Sequence, residues 1–347
     1  MTEPFMAGTG GAVRARPWAL AASGLLVLAM GLWTNTVEAA ASEPQVYSTE
    51  SAKAEKSLLL DVTHAGNRLV AVGDRGHILF SDDQGKSWTQ SKVPTRQLLT
   101  AVYFVDDKRG WAVGHDAQIL VSSDGGATWT KQFEDLKREA PLLDVWFKDV
   151  EHGFAVGAYG ALLETTDGGK NWNEVGDRLD NEDQFHLNGI AQIKDAGLFI
   201  VGEQGSMFRS SDDGQTWEKL EGPYEGSLFG VIGTAQARTL LAYGLRGNLY
   251  RSSDFGDTWQ KIELKAARGS LEFGLASATL LDDGSLVLVG NGGSVLRSSD
   301  DGQTFSVFNR SDRIALAGVS GQGTGLVLVG QGGVHLASAQ GAEGVQP

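Results

Sequence analysis

An eight-residue pattern, S/T-x-D-x-G-x-S/T-W, recurs along this chain at a nearly constant interval. Its six copies occupy residues 81–88, 122–129, 165–172, 210–217, 252–259 and 298–305; Asn171 and Phe305 are the two departures from the pattern. The third position is always Asp, and successive Asp residues lie 41, 43, 45, 42 and 46 positions apart: Asp83, Asp124, Asp167, Asp212, Asp254 and Asp300. Repeats of this length with strand-like patterning indicate a β-propeller with one four-stranded blade per repeat.

Each part of the pattern suits a tight turn that leads into a strand. The Asp carboxylate accepts hydrogen bonds from nearby backbone N–H groups, Gly allows a positive φ, and Trp offers a large apolar surface to bury. We interpret the six Asp residues as structural because one per blade distributes them around the ring. A metal or catalytic cluster of these carboxylates is the alternative.

A second pattern, an apolar run that ends in Gly, precedes each Asp motif and occurs once more near the end of the chain. The seven glycines are Gly73, Gly114, Gly157, Gly202, Gly244, Gly290 and Gly330. The sequence therefore predicts an all-β fold, a seven-bladed β-propeller of four-stranded antiparallel blades, over residues 58–338. The 308 residues that follow position 39 give each of the seven blades 44 residues.

The last repeat is incomplete. Residues 326–330 and 334–338 supply its second and third strands, but residues 339–347 form a short tail without an Asp motif. An open ring would leave an unpaired strand edge. We therefore predict that residues 40–57 form an N-terminal segment in which Gln45–Ser48 dock as the missing strand and close the ring.

The first 39 residues have the order of a secretory signal peptide. Arg14 and Arg16 precede an apolar run over Ala19–Trp33, and small residues around Ala39 offer a cleavage site. The run is shorter than the ~20 residues of a membrane span, and an uncleaved N-terminal anchor is the alternative. We expect an exported protein, periplasmic, or lumenal if the source is photosynthetic.

Composition excludes several classes of function. The chain has a formal charge of −14, which argues against nucleic acid as a partner, and no Cys, which rules out disulfides and thiol chemistry. The six histidines show no metal-ligand spacing, and no Gly-rich loop precedes a helix that would receive a phosphate. We predict no metal, no small-molecule cofactor and a monomeric chain.

One face of the predicted propeller carries the positions that do not repeat. The turns between second and third strands vary at their first two positions, and the connectors between blades on the same face hold many Arg and Lys residues. Arg is favoured at protein interfaces, so these cations indicate a binding patch. A mixed, solvated surface is the alternative because acidic residues share the same loops.

The signal peptide, the seven blades and the Asp-boxes together resemble the photosystem II assembly and stability factors and their relatives in non-photosynthetic bacteria. The Asp-box itself is also known as the bacterial neuraminidase repeat. The resemblance implies a non-enzymatic exported factor that binds a membrane or exported protein complex through an Arg-rich face. That face corresponds to Arg75, Arg246, Arg268, Arg310 and Arg313.

The enzymatic alternative is a sialidase-like glycoside hydrolase or a glycan-binding propeller. Tyr159 and Glu203 lie on successive turns of the candidate face and would be the nucleophile pair, or else further partner-binding residues. The F/Y-R-I-P signature of sialidases is missing, and Arg313-Ile314-Ala315 is the nearest stretch. We therefore predict no catalytic residue.

Overall fold

The computed structural model describes residues 45–266, 269–323 and 325–342, and these form seven antiparallel sheets arranged as the blades of a propeller. Blade one contains β1 (Leu59–Ala65), β2 (Arg68–Gly73), β3 (Ile78–Ser81) and β4 (Thr89–Gln90); blade two contains β5 (Leu99–Phe104), β6 (Gly110–Gly114), β7 (Ile119–Ser122) and β8 (Thr130–Phe133). Blade three contains β9 (Leu142–Phe147), β10 (Gly153–Gly157), β11 (Leu162–Thr165) and β12 (Asn173–Glu174); blade four contains β13 (Leu187–Ile193), β14 (Gly197–Gly202), β15 (Met207–Ser210) and β16 (Glu218–Leu220). Blade five contains β17 (Leu228–Gly233), β18 (Leu240–Gly244), β19 (Leu249–Ser252) and β20 (Gln260–Lys261).

Blade six follows a small hairpin of β21 (Lys265–Ala266) and β22 (Gly269–Ser270), and contains β23 (Leu275–Leu280), β24 (Leu286–Gly290), β25 (Ser294–Ser298) and β26 (Ser306–Asn309). Blade seven contains β27 (Leu316–Gln322), β28 (Gly325–Gly330) and β29 (Gly333–Ser338). Short 3₁₀ turns lie at Ala54–Lys56, Asp74–Gly76, His115–Ala117, Ala158–Gly160, Gly176–Arg178, Glu203–Gly205, Leu245–Gly247 and Asn291–Gly293. The predicted seven-bladed all-β fold is confirmed.

The ring closes through its inner strands. Each inner strand contacts the next, and β27 of blade seven packs against β1 of blade one. At this last junction His64 Nε2 lies 2.7 Å from the carbonyl oxygen of Gly321. The cores lie between blades; for example, Trp111 of β6 stacks on Phe147 of β9 with ring centroids 3.4 Å apart.

The prediction of a ring-closing N-terminal strand is not supported in the described residues. Gln45–Ser48 lie alongside the connector that leaves blade one. Ser48 N donates to Val93 O at 2.9 Å, and Gln45 Nε2 donates to Pro94 O at 2.9 Å. Blade seven has only three strands there. The reason is that residues 45–48 find backbone and side-chain partners on blade one, while the contact of β27 with β1 already joins the two ends of the ring. The predicted signal peptide, residues 1–39, lies outside the described residues.

The Asp-box is a closed set of hydrogen bonds. In the copy at blade four, Ser210 Oγ donates to Asp212 Oδ1 at 2.7 Å and accepts from Gly214 N at 2.8 Å. Thr216 completes the set because its N–H and its hydroxyl donate to the two oxygens of Asp212 at 2.9 and 2.6 Å. These bonds favour the ionised carboxylate, and the Thr216 hydroxyl first among them lowers the pKa of Asp212 to about 2. All six boxes repeat the arrangement.

At six of the seven junctions an arginine binds a turn of the next blade: the Asp-box in blades two to six, and the turn that replaces the box in blade seven. Its guanidinium donates to a backbone carbonyl of the next box or, in blade seven, of the turn that replaces the box. The pairs are Arg68 with Gly125 (3.2 Å), Arg109 with Gly168 (3.2 Å), Arg178 with Gly214 (3.0 Å), Arg209 with Phe255 (3.0 Å), Arg251 with Asp301 (2.9 Å) and Arg297 with Ala339 (2.8 Å). Among the described residues, no arginine makes this contact at the junction of blades seven and one. Many arginines of this acidic chain thus hold blades together.

Candidate functional site

The candidate site lies on the face that carries the 3₁₀ turns between second and third strands, which we call the turn face. The turns pack on the connectors between blades, as predicted. A Cβ on Gly76 would meet the carbonyl oxygen of Thr95 at 2.3 Å, and one on Gly205 would meet that of Tyr224 at 1.9 Å. Because backbone is pressed against backbone, Gly76 and Gly205 have no room for a side chain. The third position is glycine in six of the seven turns and Ala117 in blade two, whereas the first two positions vary widely.

The second residue of each of these turns has a left-handed backbone. The φ values are 56° at Arg75, 59° at Asp116, 55° at Tyr159, 53° at Gln204, 58° at Arg246, and 67° at Gly292; Gly332, in the turn of blade seven, has a φ of 81°. A residue with a side chain pays about 1–2 kcal/mol in this region, and glycine does not. Five successive blades nevertheless carry a side chain there. Backbone strain of this kind concentrates at functional sites, which makes this ring of side chains a candidate binding surface.

Three of the five predicted arginines are exposed on this face. Arg75 and Arg246 occupy the left-handed turn position of blades one and five, and Arg313 lies in the connector after blade six with a φ of 54°. The side chain of Arg75 is 79% exposed and its Nε is 3.4 Å from Asp74 Oδ2. Arg268 lies outside the described residues. The predicted patch is therefore spread over several blades rather than gathered on one loop.

Arg310 is not available on the turn face, contrary to prediction. It is 3% exposed, and its Nη2 donates to Asp312 Oδ2 at 2.6 Å. The Cβ of Arg310 lies 3.0 Å from where a Cβ of Gly293 would be, so its chain is covered by the turn of blade six. The sequence places Arg310 and Arg313 in the same connector, and only packing separates the buried residue from the exposed one.

His186 lies between Tyr159 and Glu203, and the sequence did not single it out for this role. The rings of Tyr159 and His186 are edge to face with centroids 5.1 Å apart, and His186 Nδ1 is 3.9 Å from Glu203 Oε2. Within the described residues, no hydrogen bond joins Tyr159 to Glu203. Tyr159 is 62% exposed, so its ring is accessible to a partner. The three side chains form a partly exposed cluster of two aromatic rings and one carboxylate between blades three and four.

An exposed apolar group on blades five and six was missed by sequence reasoning. Phe229, Leu245 and Phe273 are 37%, 39% and 44% exposed. Phe273 packs over Gly292, and the ring of Phe229 lies 3.4 Å from where a Cβ of Gly274 would be. Leu245 precedes Arg246 in its turn. An apolar residue at a variable turn position is the sequence feature that could have indicated this exposed group. Exposed aromatic residues beside arginine are typical of protein-binding surfaces.

Two carboxylates lie along the inner strands that surround the axis of the ring. Asp61 Oδ2 accepts from Val102 N of blade two, and Asp144 Oδ2 accepts from Ile190 N of blade four, both at 2.9 Å. Burial raises the pKa of Asp61 to about 6 and that of Asp144 to about 7, and the charge of Asp61 adds to the second shift. Both carboxylates therefore titrate near neutral pH while they bridge neighbouring blades.

The family of the chain follows from its repeats. The family profile described as photosynthesis system II assembly factor YCF48 matches residues 80–140 and 132–272, more than half of the chain. The chain belongs to the YCF48 family. The predicted recognition is confirmed, and the Asp-boxes and 3₁₀ turns described above are the YCF48-type scaffold as it occurs in this chain.

Solved structures share this fold. The structure of YCF48 bound to D1 peptide is 19% identical with a TM-score of 0.63, covering 82% of this chain and 92% of that chain. YCF48 from Cyanidioschyzon merolae is 18% identical with a TM-score of 0.64, covering 84% and 98%. Virginiamycin B lyase from Staphylococcus aureus is 11% identical with a TM-score of 0.67, covering 80% and 93%. At these identities the likeness shows the fold alone. No curated protein matches the chain.

Other kinds of site have little support in the part of the chain that the structure describes. There, no group of three or more His, Asp or Glu side chains is arranged to hold a metal ion. Nor does that part contain a helix with the length and apolar character needed to cross a membrane.

Proposed function

We propose that this chain is a non-enzymatic assembly factor that binds a segment of an exported or membrane protein on its turn face. One observation carries the proposal: five successive blades keep side chains at left-handed positions where glycine would be less strained. A scaffold alone does not need this, because blades six and seven have glycine at the same position. Membership of the YCF48 family supports the same class of function, since one YCF48 is solved with a D1 peptide bound.

The chemistry of the face indicates what it binds. Arg75, Arg246 and Arg313 supply exposed positive charge, and Phe229 and Phe273 supply exposed aromatic surface. Charge-assisted contacts from arginine favour carboxylates, and aromatic rings favour apolar side chains. The partner segment therefore combines an acidic group with apolar residues. An exported location, with the partner in or at a membrane, is part of the proposal.

The test is affinity capture of the chain from membranes of its source, followed by a binding isotherm for the captured partner at two salt concentrations. We expect the triple variant Arg75→Ala/Arg246→Ala/Arg313→Ala to bind at least tenfold more weakly and to lose most of the salt dependence, because exposed ion pairs are screened at a Debye length of ~8 Å. The matched control is Lys108→Ala/Lys170→Ala/Lys194→Ala, which removes three exposed cations from the opposite face. Equal affinities for the two triple variants would contradict the proposal.

The glycan alternative predicts a different result, which an assay with a sialoside substrate would show. Turnover of a fluorogenic sialoside that is lost in Tyr159→Phe and Glu203→Gln would replace the assembly-factor proposal with a hydrolase. Binding of a free glycan without turnover, in competition with the protein partner, would make the turn face a lectin-like surface. Neither substitution alters the three arginines, so the two functions are distinguishable.

A further inference from the structure

Blade seven has an outer edge that is open in the described part of the chain. In the other six blades the third strand pairs with a fourth, as Phe80 of β3 does with Thr89 of β4. Among the described residues, β28 is the only neighbour of β29, the third strand of blade seven. Backbone N–H and C=O groups on the outer side of Val334–Ala337 thus lack the partners that a fourth strand provides. An open edge of this kind is a template for another extended segment.

The open edge lies in a groove with defined ends. A cavity of about 370 Å³ lies beside β29 and the Asp-box of blade one, and Val334, Leu336, Lys86 and Trp88 line it. The box itself packs on blade seven, since a Cβ on Gly85 would lie 3.2 Å from Leu336. At one end Gly333 meets the 3₁₀ turn, where a Cβ on Gly333 would lie 1.9 Å from Glu55 O. At the other end Ser338 N donates to Ala342 O at 2.9 Å. The four residues between these ends span roughly 13 Å at ~3.3 Å per residue.

The groove is more basic than the chain as a whole. Lys56, Lys86 and Arg310 line it together with Glu55 and Asp312, and Asp312 is already bound to Arg310. In a chain of net charge −14, a groove lined by two exposed lysines, Lys56 and Lys86, favours an acidic occupant.

Within the described residues, the junction of blades seven and one also lacks the arginine contact found at the other six junctions. In blades four, five and six the residue before the Ser of the box is Arg209, Arg251 or Arg297, and it binds the next blade. The equivalent residue of blade seven is Ala337, whose small side chain leaves the groove open. The missing strand and the missing arginine thus coincide at one junction.

We propose that this groove is a second binding site, which takes an extended acidic segment of a partner protein as the fourth strand of blade seven. The backbone of the segment pairs with β29, its carboxylates face Lys56 and Lys86, and its apolar residues pack beside Trp88. The site is separate from the turn face and does not rest on the function proposed for it.

The test uses the full chain and two synthetic probes, acetyl-Thr-Glu-Val-Glu-Val-Thr-amide and the same peptide with Lys in place of Glu. We expect the acidic peptide to bind and to slow hydrogen exchange at the amides of 334–337 that point away from β28, and the basic peptide to bind at least fivefold more weakly. Lys86→Glu is expected to weaken the acidic peptide about five- to tenfold. The matched control is Lys170→Glu, at the same box position in blade three, where the preceding blade has its outer strand β8. This control is expected to change nothing.

Three results would overturn the proposal. One is slow exchange, in the free chain, at the amides of 334–337 that point away from β28, because it would mean that the chain covers its own edge. Another is equal binding of the two peptides, and the third is an equal effect of Lys86→Glu and Lys170→Glu. The triple arginine variant of the turn face is expected to bind the acidic peptide normally, so failure at one site leaves the other unaffected.

Discussion

Asp144 in the inner strand of blade three accepts a hydrogen bond from the backbone N–H of Ile190 in blade four, at 2.9 Å. Asp61 makes the equivalent bridge from blade one to Val102 of blade two. Both carboxylates thus hold neighbouring inner strands together from a partly buried position, where desolvation disfavours ionisation. The consequence is a pH dependence of stability that differs from that of the Asp-boxes.

We predict that the chain is more stable at pH 5 than at pH 8. The pKa values of Asp61 and Asp144 rise from 3.8 when unfolded to about 6 and about 7 when folded. The folded state therefore binds protons more tightly, and the stability gained from protonation is complete below pH ~4 and is lost as the pH rises through 6 to 7. We expect a loss of roughly 1–3 kcal/mol in the free energy of unfolding, measured by guanidinium titration at both pH values.

Asp144→Asn is the variant that isolates this effect. The amide keeps an oxygen that accepts from Ile190 N and has no charge to bury, so the difference between pH 5 and pH 8 is expected to shrink by about half. Asp167→Asn, in an Asp-box, is the control and is expected to leave the difference unchanged. A pH difference that survives in Asp144→Asn/Asp61→Asn would show that other groups cause it.

Asp212→Ala is predicted to destabilise the fold by roughly 1–3 kcal/mol, because the N–H and hydroxyl of Thr216 and the hydroxyl of Ser210 lose their acceptor. The lowered pKa of Asp212 means that this contribution is present above pH ~4 and is lost as the pH falls through about 2. A denaturant titration at neutral pH measures the loss. An unchanged midpoint would mean that the box is dispensable in blade four.

Substitution of Trp217, in an Asp-box, and of Trp111, in a blade core, is predicted to differ in effect. Trp111 is fully buried and stacks on Phe147, so Trp111→Ala is expected to cost roughly 3–5 kcal/mol. Trp217 is only partly buried and meets Phe154 at its edge, with centroids 6.2 Å apart, so Trp217→Ala is expected to cost less. Thermal melts of both variants rank them, and the reverse order would contradict the packing described here.

Arg75→Gly and Tyr159→Gly are predicted to weaken partner binding without destabilising the fold. Glycine relieves the left-handed strain at these positions, and its greater freedom in the unfolded chain offsets part of the gain, so the net change is expected to stay within about 1 kcal/mol. Blades six and seven already have Gly292 and Gly332 there and form normally. A melt together with a binding isotherm checks both parts. Unchanged affinity in both variants would remove the turn positions from the binding surface.

The sequence alone determined the architecture, because a turn motif repeated once per blade predicts the fold. A turn motif that needs Asp and Gly at set positions, repeated at an interval of one blade, leaves few alternatives to a propeller. Glycine at the third position of six of the seven turns recurs in the sequence in the same way, and the backbone contacts at Thr95 and Tyr224 show why a side chain is excluded at Gly76 and Gly205. Local chemistry therefore accounts for the scaffold and for which turn positions are free to vary.

Only the tertiary structure decided which of the free positions act together. Arg310 and Arg313 have the same chemistry and nearly the same place in the chain, yet packing beneath Gly293 buries the first and leaves the second exposed. By sequence, Gln45–Ser48 suited an edge strand as well as a connector. In the structure their hydrogen-bond partners lie in the connector after blade one and not on blade seven. The open edge of β29, the bridge from Asp144 to Ile190 and the cluster around His186 depend on contacts between residues of different blades or far apart in the chain. Such contacts are set by the closed ring, which no local pattern contains.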